Sequence, residues 1–186
     1  QNPKLWSIEE PHLYQLKTTV SQNGTIVDIS ETPFGIRSFR FDIDEGFFLN
    51  GESVKIKGIC LHHDLGALGA AFNKRAAQRQ LEIMQGMGVN SLRTAHNPPA
   101  PEVLDLCDEM GVLVMDEMFD MWSISKTEHD YSKYWEEWHE QDLRDFIRRD
   151  RNHPSIIVWS IGNEIMEQYN HEDSLGGQIA SELAGI

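Results

Sequence analysis

The sequence predicts an α/β protein in which a parallel sheet flanked by helices is entered through a short stretch of antiparallel β-structure. Two observations carry this reading. From Gly46 onward, short apolar runs alternate with segments of helical periodicity, and a strand-helix-strand order pairs its strands in parallel through right-handed crossovers. Before that point, period-two alternation is interrupted at Asn23-Gly24, as in a β-meander. The repeats fit either an open doubly wound sheet or a closed barrel. With 186 residues, 40% hydrophobic and 25% charged, the chain is long enough to bury a substantial core.

Residues 12–20, 25–29 and 36–41 alternate apolar and polar side chains and are expected to form three meander strands. Three strands bury only one face, so they are expected to end a larger β-sandwich that occupies residues 1–44. Residues 45–186 form the second unit. Its first strand is expected over 54–63 and its first helix over 74–87, where Ala77, Leu81 and Met84 share a stripe. A second strand follows at 90–96. A helix over 101–110 ends at Gly111, a third apolar strand spans 112–118, and a charged helix over 131–152 stops at His153-Pro154. Residues 155–161 are the fourth strand. On the long helix, Glu140 and Arg144 and their neighbours are expected to be a solvated face, with Trp135 and Trp138 docked on the sheet.

Composition excludes several functions. Sixteen Lys and Arg against thirty Asp and Glu give a net charge of -14, which repels nucleic acid and acidic membranes. No apolar run reaches the roughly 18 residues of a membrane span, and the first residues lack the apolar core of a signal peptide. A soluble chain is expected, cytoplasmic or periplasmic. Cys60 and Cys107 lie far apart without metal-ligand spacing and are expected to be buried packing residues. No glycine-rich nucleotide motif follows any strand.

In parallel α/β folds, polar residues at the C-terminal ends of apolar strands face the ligand crevice. All four strands end this way. The first leads into His62-His63-Asp64, the second holds Arg93 and leads to His96, the third ends in Asp116-Glu117 with Asp120 beyond, and the fourth leads into Asn163-Glu164. Adjacent residues of a regular strand point apart, so His62 and His63 are not expected to line one cavity. Asp116 and Glu117 diverge likewise, and one of them is expected to hold Arg93. On period two, Glu164 shares its face with Gly162 and Ser160, which leaves room for a bound ring. Apolar walls around its carboxyl would keep it protonated as a general acid.

The stretch His153-Pro154-Ser155-Ile156-Ile157-Val158-Trp159-Ser160-Ile161-Gly162-Asn163-Glu164 resembles the acid/base signature of glycoside hydrolase family 2. Phe48-Leu49-Asn50-Gly51, Gly58 to Asp64, Asn90 to Pro98 and Asp116-Glu117 agree with the family in order, and Asn2 to Arg37 resembles its immunoglobulin-like domain. The resemblance implies the first half of a TIM (β/α)8 barrel preceded by a few strands of an immunoglobulin-like β-sandwich. It also implies a retaining exo-glycosidase, closest to β-galactosidase-like members, in which Glu164 protonates the leaving oxygen and then activates water. Asn163 would bond the sugar's 2-hydroxyl. His96 and one of His62 or His63 would line the sugar subsite, with Asp64 beside them, while Arg93, Asp116 and Glu117 orient the carboxylates.

Some β-galactosidases of the family bind magnesium through a Glu and a His two residues apart, similar to Asp120-Met121-Trp122 here. Trp122 replaces the imidazole, so no cofactor is expected, and its ring is expected to be a sugar platform. The family's nucleophile is a Glu on a later strand, and a full barrel takes about 250 residues. The chain is therefore expected to be a fragment without turnover of its own, whose first and fourth strands are open edges that favour self-association. Two other readings compete. A metal-dependent barrel hydrolase would want two imidazoles on one face, which the adjacent His62-His63 pair does not supply. A non-catalytic carbohydrate-binding or structural fragment would keep the polar rim without chemistry.

Overall fold

The computed structural model describes residues 2–169 and 175–186, and its strands fall into three separate sheets. The first is a hairpin of β1 (Tyr14–Gln22) and β2 (Thr25–Phe34), turned at Asn23 and Gly24 with φ of 52° and 80°. An Asn-Gly pair tolerates this left-handed backbone, and its twist suits a hairpin. The second sheet is antiparallel, formed by β3 (Phe39–Asp42), β4 (Gly46–Leu49) and β5 (Glu52–Ser53). The third is parallel, with β6 (Gly58–Leu61), β7 (Ser91–Thr94), β8 (Leu113–Glu117) and β9 (Ile156–Ser160) side by side in chain order.

The three-strand meander is thereby corrected. Its third strand begins only at Phe39 and pairs with β4, leaving β2 with one partner. The cause is the segment before it. Arg37 Nε and Nη2 donate to the carbonyls of Pro154 and Ile156 at 2.9 and 2.6 Å. Gly35 lies so close to Pro154 that a Cβ would stand 2.7 Å from the ring. Residues 35–37 are spent on docking against the start of β9 and make no hairpin.

Helices connect the parallel strands. The first, α1 (Lys74–Gly86), is capped by Asn73, whose side chain accepts from the Ala76 amide at 3.0 Å. Next comes α2 (Pro101–Met110), which begins with proline at its first turn and ends at Gly111 in the left-handed conformation. A single 3-10 turn at Tyr131–Tyr134 precedes α3 (Trp135–Asp150), shortening the expected helix at its start. Trp135 is buried, whereas Trp138 is exposed and does not dock. The helix of the fourth strand-helix unit, α4 (Leu175–Ala184), follows β9.

Along the sheet, Leu92, Val114 and Ile156 pack against Ala77, Leu81, Leu104 and Cys107 of α1 and α2. Phe119, Trp122, Trp135, Phe146 and Leu183 make a second cluster around α3 and α4. On the opposite face Cys60, Arg93, Met115 and Val158 stand in register across the four strands, and none of them is fully buried. Cys107 is buried as expected, but Cys60 is exposed because that face of the sheet is uncovered. A third cluster, Trp6, Phe47, Leu49, Leu113 and Ile157, closes the N-terminal ends of β8 and β9. Trp6 is locked there by its indole N–H, which donates to the Asp108 carbonyl at 2.9 Å. The antiparallel sheet thus plugs one end of the parallel sheet and leaves the C-terminal rim free for chemistry. No helix among the described residues is long and apolar enough to cross a membrane.

Candidate active site

Glu117, the last residue of β8, is 0% exposed and gathers the rim. Its Oε1 accepts from Arg93 Nη2 at 2.9 Å and from His96 Nδ1 at 2.8 Å. Its Oε2 accepts from Arg93 Nε at 2.9 Å and from the Ser160 hydroxyl at 2.6 Å. The ends of β7, β8 and β9 are therefore tied by one carboxylate. A carboxylate this enclosed is stable only because every lone pair it offers meets a donor, one of them the forked Arg93 guanidinium. Arg93 also reaches the fourth strand end, donating from Nη2 to Asn163 Oδ1 at 2.7 Å.

Asn163 is held at both ends of its amide. Oδ1 faces Arg93, and Nδ2 donates to Asp120 Oδ1 at 2.9 Å. The Lys126 ammonium then closes the arrangement, donating to Asp120 Oδ1 at 2.9 Å, to the Asp120 carbonyl at 2.6 Å and to the Asn163 carbonyl at 2.7 Å. Partial burial opposes ionisation of Asp120, but its hydrogen bonds from Lys126 and Asn163 outweigh it and hold the carboxyl below the usual range.

Glu164 comes next, in the left-handed region at φ 45°. Because β9 stops at Ser160, the period-two argument that placed Glu164 beside Ser160 and Gly162 does not extend to it. All three nonetheless border one open hollow of about 720 Å³, whose apolar wall includes Met115, Trp159 and Ile165. The expected enclosure of the carboxyl is corrected: Glu164 is exposed, with apolar groups on one side only. Among the described residues it has no hydrogen-bond partner and no ion-pair partner, so no lysine or arginine clamps it. Gly162 makes room for this turn, since a Cβ there would stand 2.6 Å from Ile165 and 3.0 Å from the Trp122 indole nitrogen.

The comparisons with known proteins bear directly on this rim. The model described as the TIM barrel domain of the family 2 glycosyl hydrolases matches residues 42–176, and a second model, described as Glycosyl hydrolases family 2, matches residues 1–37. The chain belongs to glycoside hydrolase family 2. It is 58% identical over all 186 residues to the β-galactosidase BoGH2A of Bacteroides ovatus, of which it covers 22%. It is 46% identical over 163 residues to a putative β-glucuronidase of Formosa agariphila, covering 87% of this chain and 16% of that protein. Among solved structures, a family 2 member from Bacteroides cellulosilyticus superposes with a TM-score of 0.92 at 44% identity, over 98% of this chain and 23% of that one. The chain thus spans about a fifth of the length of these relatives, and its four parallel strands with their helices are part of the family's TIM barrel.

Within this family 2 rim, the sequence-predicted residues separate into three places. Arg93, His96, Glu117, Asp120 and Asn163 form the connected network, and Glu164 projects beside it. His62, His63 and Asp64 sit apart, around a small cavity of about 60 Å³ bounded by Leu61, Phe72 and Val103. Both histidines line that cavity, contrary to expectation, because β6 ends at Leu61 and the alternation ends with it. His62 still meets the network edge-on, its ring 5.1 Å from that of His96. Partial burial and the neighbouring His62 push the His63 imidazole below its usual value. Asp64 shapes its own loop, accepting from the Gly66 amide at 2.7 Å and, through its carbonyl, from Gln80 Nε2 at 3.0 Å.

Two further residues are placed differently from expectation. Trp122 is 0% exposed, donates to the Ile161 carbonyl at 2.7 Å and packs on Trp135, so it offers no free face as a sugar platform. Asp116 points to the helix side, where it is 0% exposed and accepts from Thr94 Oγ1 at 3.1 Å. Burial and the adjacent Asp150 raise its carboxyl to about 7. Glu117, not Asp116, holds Arg93. Sequence reasoning missed Thr94, Ser160, Lys126 and Glu167. Ser160 and Thr94 carried a signal, as hydroxyls at strand ends. Lys126 lies in a polar loop that nothing distinguishes. Glu167 follows the signature by three residues and pins the loop after β8 by accepting from the Ser123 hydroxyl and the Ile124 amide at 2.7 and 2.8 Å.

Proposed function

We propose that this chain supplies the general acid/base side of a retaining β-glycosidase, with Glu164 as the acid/base residue and a terminal β-galactoside as the substrate. One observation supports this above the others: the ends of β7, β8 and β9 converge on a polar network whose last member, Asn163, immediately precedes a carboxylate left, among the described residues, without a partner at the edge of an open hollow. Every other rim carboxylate is engaged by donors. Among the described residues, Glu164 is the rim carboxylate left to give a proton to a leaving oxygen and later to take one from water.

Asn163 prepares the same step. Its amide is fixed by Arg93 and Asp120, which leaves one N–H of Nδ2 for a ligand hydroxyl. A donor held in place before the reaction costs no reorganisation as charge develops on the sugar. The second carboxylate of a retaining pair, about 5 to 5.5 Å away across the anomeric carbon, is proposed to come from elsewhere in a longer enzyme that carries this chain. On this reading the chain alone has no turnover.

The galactoside preference rests on the hollow and on the relatives. A uronic acid carries a carboxylate that needs a cation, and the described residues lining the hollow beside Glu164 include no Arg or Lys. The relative matched along the whole chain at 58% identity is named a β-galactosidase. The test is kcat/KM of the longer enzyme on aryl β-galactoside and aryl β-glucuronide. The galactoside is expected to be preferred, with Glu164→Gln abolishing turnover. A preference for the glucuronide would refute the sugar, and full activity of Glu164→Gln would refute the role of that carboxyl.

A further inference from the structure

Three acceptor oxygens surround the Lys126 ammonium: Asp120 Oδ1, the Asp120 carbonyl and the Asn163 carbonyl, at 2.9, 2.6 and 2.7 Å. An ammonium has three N–H donors and no acceptor, so this set uses all of them. The side chain is 19% exposed, and its charge faces the Asp120 carboxylate. Two segments distant in sequence meet on this single charge. One is the loop after β8. The other is the peptide carbonyl that joins Asn163 to Glu164.

A divalent cation at Asp120 is the alternative that the resemblance raises, and the residues present do not fit it. Asp120 Oδ1 already accepts from both Lys126 and Asn163 Nδ2. Position 122 holds an indole whose only polar atom donates to the Ile161 carbonyl. No group of three or more His, Cys, Asp or Glu among the described residues is arranged to hold a metal. A cation is nevertheless present in the covalent structure, and its partners are oxygens, the ligand type that hard divalent ions take.

We propose that Lys126 is the resident cation of this site: its ammonium takes the oxygens that Asp120 and the Asn163 carbonyl would offer a metal, and it fixes the Asn163–Glu164 peptide so that the rim works without a metal ion. This rests on the glycosidase reading of Glu164. Lys126 is a positioning residue and touches no reacting atom. Its function is geometric. Glu164 occupies a left-handed backbone conformation at φ 45°, which a non-glycine residue adopts at a cost. The carbonyl on its N-terminal side is held by Lys126, while the side chain of Asn163 is held by Arg93 and Asp120. With the ammonium removed, the peptide loses its anchor, Asp120 loses its counter-charge, and Asn163 and Glu164 shift together.

The experiment has three arms. In the longer enzyme, rates on an aryl β-galactoside are measured before and after exhaustive chelation, for wild type and for Lys126→Met. The wild-type rate is expected to survive chelation unchanged. Lys126→Met is expected to lose roughly 10²-fold in kcat, the scale of a small misplacement of a reacting group, with a much smaller change in KM. Propylammonium is expected to restore part of kcat to Lys126→Ala, whose shortened side chain leaves room for it, and magnesium is not. A wild-type rate that falls on chelation and returns with magnesium overturns the proposal, as does a Lys126→Met rate within about threefold of wild type. Titration of the present chain with Mn²⁺ is the activity-independent arm. No uptake that depends on Asp120 is expected, and uptake abolished by Asp120→Asn overturns the proposal. If the wild-type enzyme hydrolyses no β-glycoside, the glycosidase reading fails, and the Mn²⁺ arm then decides alone whether Lys126 is the cation.

Discussion

Replacing Glu117 with Gln keeps the shape of the side chain and removes what its position requires. Four donors converge on this carboxylate: Arg93 through Nε and Nη2, His96 through Nδ1, and the Ser160 hydroxyl, at 2.6 to 2.9 Å. An amide has one oxygen. Whichever way it is flipped, its NH₂ faces donors that it cannot satisfy, and the Arg93 charge loses its partner while remaining 26% exposed. Breaking one side of a buried ion pair costs about 3–5 kcal/mol. For a chain of this length that lowers the melting temperature by roughly 10 °C. The assay is urea unfolding followed by tryptophan fluorescence, read as a shift in midpoint at constant slope. Arg93→Met added to Glu117→Gln should recover part of the loss, because removing both partners leaves less buried charge unpaired. A loss below about 1 kcal/mol, or additive effects in the double variant, would refute the description of Glu117 as the hub of the rim.

Asp116 makes a prediction in pH. Its carboxyl is raised to about 7 in the folded chain by burial and by Asp150. A group raised on folding stabilises the protein fully below its unfolded value, near pH 4, and that contribution is lost as pH rises through about 7. Asp116→Asn should therefore change stability little at pH 4.5 and gain progressively relative to wild type as pH rises toward 8. Parallel urea curves at both pH values check it. His153 is expected to behave in the same direction. Burial works against its charge, yet the hydrogen bond to Asp108 at 2.6 Å raises it, so the pair's contribution holds below about pH 6.5 and fades above it. His153→Gln should cost more stability at pH 6 than at pH 9, read from the same curves. Gly111→Ala should destabilise by more than the ~1 kcal/mol of an ordinary glycine replacement, because φ is 71° and a Cβ there would collide with the Ile8 backbone carbonyl.

The parallel sheet and its polar rim were legible in the sequence because a strand that packs against helices is apolar until it ends. Leu92 and Val114 mark the helix side of the sheet, and the polar residues that follow them mark the rim. The antiparallel part was less legible. Phe39 to Phe41 alternates like a third meander strand, but its pairing is decided by Arg37 and Gly35 docking near Pro154, more than a hundred residues away. Local pattern contains no such distance. Trp122 shows a similar limit: an aromatic two residues beyond the rim carboxylate Asp120 suggests a platform, and only packing with Phe119 and Trp135 shows it to be core. His62 and His63 share a cavity because their strand ended two residues earlier than its composition suggested. Lys126 had no sequence signature, since its role comes from two loops that meet only in the fold.

Leaving-group dependence tests Glu164 as a proton donor most directly. Glu164→Ala in the longer enzyme should lose at least about 10²-fold, the usual contribution of general acid catalysis, on an alkyl β-galactoside whose leaving oxygen needs a proton. On a dinitrophenyl β-galactoside, whose leaving group departs as a stable anion, formation of the glycosyl intermediate should be far less affected. An equal loss on both substrates, or no loss on either, would contradict the assignment.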